Sequence, residues 1–140
     1  MKRHYLVEII TILFIILFTY TAVSKLSDFE RFKITLARSS LFAGFSQIVA
    51  WGIPVIELLV SLLLVYPAVK LYGLYASFGL MVIFTSYVIY LLRSHERLPC
   101  TCGGIVQRMT WEQHLIFNIV FVVLAAVAVL GYPGRVERRK

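Results

Sequence analysis

The chain has 140 residues, 60% of them hydrophobic and only 15% charged, where a soluble domain has about 45–50% and about 25%. With a mean hydropathy of +0.85, that composition excludes a soluble enzyme, a disordered chain and a nucleic-acid-binding domain. The net charge of +7 sits in short segments between long apolar runs, so anionic lipid and membrane orientation account for it.

A bilayer core of about 30 Å takes about 20 apolar residues in a helix. The first such run is Tyr5–Ser24, whose one charged residue is Glu8. Met1-Lys2-Arg3 before it and Ala22-Val23-Ser24 at its end loosely resemble a secretory leader, but the run exceeds the usual 7–15 residues, so a retained helix is expected. Ser27-Asp28-Phe29-Glu30 then has the form of a capping box, with Ser27 as cap and Glu30 reaching back. Beyond it, Phe29, Phe32, Leu36 and Ala37 share a face, and Glu30, Arg31, Lys33 and Arg38 lie largely elsewhere. That pattern predicts a short amphipathic helix at the membrane surface.

The second run is Ile48–Tyr66, with Glu57 at its midpoint. A bare carboxylate at that depth is costly, so it should face the bundle interior, and an intramembrane acid is a functional candidate by default. The blander alternative is a protonated Glu57 bonded to a serine, threonine or tyrosine. Lys25 is a candidate partner. It closes the first run on the side from which the second enters, yet Glu57 lies roughly 13 Å deeper, nine residues at about 1.5 Å each. Pro54 frees a backbone carbonyl one turn before Glu57. Glu8, near a membrane edge, is expected to be interfacial.

Pro67-Ala68-Val69-Lys70 makes a tight turn into the third run, Leu71–Leu92, which has no charged residue. Its Gly73, Ala76, Ser77 and Gly79 offer a close-packing face. Pro99 cannot continue this helix, and Gly103-Gly104 opens backbone shapes closed to other residues. Thr110-Trp111-Glu112-Gln113 is a second capping box, so the fourth helix should begin near Trp111 and carry its span over residues 113–132, with the apolar run at Leu115–Tyr132. The expected architecture is all-α, a single four-helix membrane domain over residues 1–140 with an amphipathic helix in its first loop. The expected spans are about 5–24, 48–66, 71–92 and 113–132.

Four crossings put both termini and the Pro67 turn on one side. Seven basic residues lie on each side, but those on the terminal side are packed into far fewer positions. Density therefore favours cytoplasmic termini and an external third loop.

That third loop holds the only two cysteines, Cys100 and Cys102. Three chemistries use neighbouring sulfurs. A reversible disulfide in so small a ring is strained, and strained, exposed disulfides are labile or catalytic. Arg97 and Arg108 would favour the reactive thiolate. A metal site with His95 or His114 matches no standard zinc spacing, and none is expected. A permanent structural bridge would stabilise little, because it closes so short a loop.

Ala22-Val23-Ser24-Lys25-Leu26 with Phe29 and Phe32, then Pro54-Val55-Ile56-Glu57-Leu58, resembles the DoxX-type four-helix membrane fold. Cys100-Thr101-Cys102-Gly103-Gly104, followed by Trp111, His114 and Asn118, resembles the MauE branch of that superfamily. Gly104 stands where many relatives have an aromatic residue, which is similar to a redox-associated MauE-like subgroup. The resemblance covers nearly the whole chain. It implies a bacterial inner-membrane protein supporting thiol–disulfide chemistry or maturation of periplasmic proteins, with a family link to methylamine dehydrogenase biogenesis. It implies Cys100 and Cys102 as the redox pair, supported by Gly103, Gly104, Arg97, Arg108 and His114, with a periplasmic thioredoxin-like or client protein as partner. In outline the chain also resembles the vitamin K epoxide reductase bundle, but it lacks that family's intramembrane Cys-x-x-Cys. No cofactor is expected; a quinone pocket among the aromatic residues is left open, with no motif that names one.

Two other function classes compete. One is a non-catalytic scaffold or assembly subunit of a larger membrane complex, gripping its partner through the amphipathic loop and the cysteine loop. The other is a proton-coupled device centred on Glu57, although four helices without an inverted repeat suit alternating access poorly.

Overall fold

The computed structural model describes residues 2–38, 42–94 and 111–132. They form α1 (Lys2–Ser27), α2 (Phe29–Arg38), α3 (Ser46–Val65), α4 (Lys70–Ser94) and α5 (Trp111–Gly131), with a 3-10 turn over Pro67–Val69 between α3 and α4. Among the described residues, four helices are long and apolar enough to cross a membrane, and α2 is a short amphipathic addition. The chain is an all-α, multi-pass membrane protein.

The bundle closes in a ring. α1 packs on α3 and α5, and α4 packs on the same two. Neighbours run antiparallel: Gly131 at the end of α5 lies against Val7 and Arg3 at the start of α1. At that same end, the Lys70 ammonium donates to Glu8 Oε1 at 2.7 Å and ties the α3–α4 turn to α1. Glu8 therefore has a partner that the expectation of a merely interfacial residue did not supply. The opposite end gathers the end of α1, all of α2, the start of α3, the end of α4 and the start of α5.

Burial runs opposite to that of a soluble bundle. Large aliphatic residues such as Ile9, Ile16, Leu59, Ile83 and Ile116 face outward, where lipid suits them. Several polar side chains, among them Thr11, Ser61 and Ser77, are turned inward. The core itself is apolar: Phe14, Phe18, Val60, Leu64, Leu74, Met81 and Ala125 meet at the ring's centre. The Phe14 ring stands edge-on to Phe121, with centroids 5.3 Å apart.

The structure corrects four expectations. Ser27 does not cap α2; it ends α1, and its hydroxyl donates to the Val23 carbonyl at 2.8 Å. α1 thus runs past the lysine where hydropathy placed its edge. On α2, Phe32 and Leu36 are buried against Ala50, Val49 and Ile53 of α3, but Ala37 is exposed. It lies a full 100° round the helix from Leu36, and Thr35 takes the place on the buried face. On α4, Gly79 has nothing near it, whereas a β-carbon on Gly73 would lie 3.0 Å from the Leu64 backbone nitrogen. Of these two, Gly73 is the close-approach glycine, because there the α3 backbone comes in.

That difference is measurable. Gly73→Val should cost about 1–3 kcal/mol through overpacking, while Gly79→Ala should change stability by no more than about 1 kcal/mol, in the favourable direction. Reversible denaturant titration in micelles, followed by circular dichroism, reads both. Equal losses at the two positions would refute the packing assignment.

Candidate functional site

The polar residues buried deepest lie on regular helical spacings. On α1, Phe14, Phe18, Thr21 and Lys25 follow one another at three- and four-residue steps along the buried face. On α3 the same face carries Ala50, Pro54, Glu57, Ser61 and Leu64. On α5, His114 and Asn118 sit one turn apart and both are buried. Helix geometry alone stacks such positions. The ring then brings the three faces together.

At their junction the Lys25 ammonium donates to Glu57 Oε1 at 2.6 Å, and both side chains are almost fully buried, at 7% and 1% exposure. The depth difference read from sequence does not keep them apart: Lys25 lies on the buried face of α1, which runs on to Ser27, and its side chain reaches Glu57. The ammonium also lies 5.5 Å from the Phe84 ring centroid and 5.9 Å from that of Phe32. Cation–π contact adds to the ion pair in a desolvated setting.

A cavity of about 40 Å³ adjoins the pair, lined by Thr21, Lys25, Glu57, His114 and Asn118 among apolar neighbours. Two atoms there have no hydrogen-bond partner among the described residues: Glu57 Oε2, an acceptor, and Asn118 Nδ2, a donor. Each buried polar atom left so costs about 1–3 kcal/mol. The space exceeds the roughly 10–15 Å³ that one water needs. A second cavity, of about 300 Å³, lies beside it between α2, α3 and α4, and shares Lys25, Phe84 and His114 with the first.

Of the residues expected to carry function, Lys25, Glu57 and His114 therefore meet in one place. Sequence grouped His114 with the cysteine loop; here it stands one turn inside α5 and lines both cavities. Thr21 and Asn118 were not singled out as site residues. Their signal was available, since each falls on the helical face of a residue that was: Thr21 four before Lys25, Asn118 four after His114. Cys100, Cys102, Gly103, Gly104, Arg97 and Arg108 lie outside the described residues. Among the described residues no cluster of three or more His, Cys, Asp and Glu side chains could hold a metal.

The sequence profile of Methylamine utilisation protein MauE matches residues 3–131. The chain belongs to the MauE family. Its similarity to a curated relative, the Methylamine utilization protein MauE of Paracoccus denitrificans, is 28% identity over 125 residues, covering 86% of this chain and 67% of that one. No solved structure matches it significantly. As a MauE protein it keeps its polar cluster well inside the matched region.

Proposed function

We propose that this MauE protein is a thiol–disulfide exchange component of the bacterial inner membrane that supports maturation of periplasmic proteins. By analogy with its named relative, the clients would belong to methylamine utilisation. The observation that carries the proposal is the position of the cysteine pair. The only two cysteines in the chain, two residues apart, lie in the connection between α4 and α5. That connection leaves from Ser94 and returns at Trp111, at the end of the bundle that also holds α2, Lys25 and His114. With cytoplasmic termini the pair faces the periplasm, where a disulfide persists.

The exchange balances within the pair and its client. A thiolate attacks a disulfide sulfur, forms a mixed disulfide and releases one thiolate; a second attack releases the other. Two electrons and two protons change hands. Either the Cys100–Cys102 bond breaks as a client disulfide forms, or it forms as a client disulfide is reduced. Arg97 and Arg108 would hold the attacking group as thiolate.

Thiol trapping in intact cells tests this with a membrane-impermeant maleimide. Label should appear only after external reduction, which marks the pair as outside and oxidised. Label that appears only after lysis, with no reductant needed, would mark cytosolic thiols and overturn the proposal. The apolar side of α2, one of the two surfaces by which the competing scaffold reading would grip a partner, is already buried against α3 through Phe32 and Leu36.

A further inference from the structure

The two adjoining cavities join complementary chemistry. The small one presents an unmet acceptor, Glu57 Oε2, and an unmet donor, Asn118 Nδ2. The large one is walled by aromatic and aliphatic side chains, Phe32, Phe42, Phe84, Tyr87 and Val88 among them. At about 300 Å³ it reaches the lower end of the range for small-molecule pockets, about 300–1,000 Å³.

We propose that together they form one binding site for an uncharged, lipid-soluble ring compound with carbonyl or hydroxyl oxygens on its head, the chemistry of a quinone and its quinol. Four observations select that class. Glu57 and Asn118 line the same small cavity, where a hydroxyl head has the donor that Glu57 Oε2 lacks and the acceptor that Asn118 Nδ2 lacks, and a carbonyl has the acceptor for Asn118. The charge of Lys25 is already compensated by Glu57 at 2.6 Å, so the site has no net charge to attract an anion. The aromatic walls suit a flat ring. Ile56 and Ile83 line the large cavity and are themselves exposed, at 46% and 62%, which gives a route in from the bilayer. An acyl chain alone would fill the apolar part and leave Glu57 and Asn118 unmet. The site stands independently of the cysteine exchange.

The test titrates the purified full chain, in phosphatidylcholine nanodiscs, with decylubiquinone against empty nanodiscs. Every ring position of that probe is substituted, so thiols do not add to it. Saturable binding at one molecule per chain is expected. Asn118→Leu should weaken it about tenfold or more, the cost of one buried hydrogen bond. Val88→Phe, which pushes a ring into the large cavity, should weaken it by a similar factor, while Asn118→Leu keeps the test valid if the larger side chain impairs folding. Uptake no greater than that of empty nanodiscs would overturn the site, leaving the cavities to water and acyl chains. So would saturable binding that a folded Asn118→Leu chain retains in full.

Discussion

Lys25→Met should destabilise the bundle by about 3–5 kcal/mol, the usual cost of stranding one member of a buried ion pair. Here the stranded group is Glu57, 1% exposed, with its ionic partner among the described residues removed and its second oxygen already unmet. The loss is larger than that expected at Gly73 because a charge loses its counter-charge in a buried, largely desolvated setting. The double substitution Lys25→Met/Glu57→Leu should recover most of it, since well-packed apolar replacements of buried pairs are often neutral or stabilising by about 1–4 kcal/mol. Reversible unfolding in micelles measures all three chains. A double variant as unstable as Lys25→Met would show that the two residues do not act as a pair. The same double variant also separates stability from use. It should fold and bind the quinol more weakly than the unaltered chain, because the oxygen that would accept from the quinol hydroxyl is gone, while the quinone keeps its bond from Asn118.

The second large effect concerns the cysteines. Cys100→Ser or Cys102→Ser should reduce exchange to background while insertion and helicity stay unchanged. The reason is mechanistic: resolution of a mixed disulfide needs the second sulfur. With one cysteine left, a client disulfide is attacked but not released, and a reductant-sensitive adduct should accumulate on acid-quenched, non-reducing gels. The chain with both cysteines replaced should form none. A single-cysteine variant with full exchange activity would remove the relay, and a scaffold role would then account for the family's link to methylamine utilisation.

Much of the architecture was legible in sequence because lipid leaves the backbone so few options. A run such as 115–132 has to be a helix, since nothing in the hydrocarbon region would satisfy its amides otherwise. Pro67 marked the turn into α4. Glu57 declared itself by being an acid amid apolar residues. The amphipathic spacing of Phe29, Phe32 and Leu36 likewise preceded any view of α2 on α3. Local signals were less dependable. The Ser27 box has the right letters, yet α1 absorbs its cap, because a helix already running through Val23 offers that hydroxyl a carbonyl at 2.8 Å. Gly73 and Gly79 look alike in sequence and differ only in whether another backbone approaches.

The sequence by itself determined the membrane class, the number of crossings, the amphipathic helix and the presence of two cysteines in one connection. Each follows from hydropathy, spacing or composition along a single stretch of chain. The tertiary structure alone decided that Lys25, 32 residues before Glu57, is its ionic partner, and that His114 and Asn118 from α5 share their cavity. Hydropathy sets a span's edge at the first charge and so leaves Lys25 outside. The ring of antiparallel helices places it inside, because α1 extends to Ser27 and turns that face toward α3.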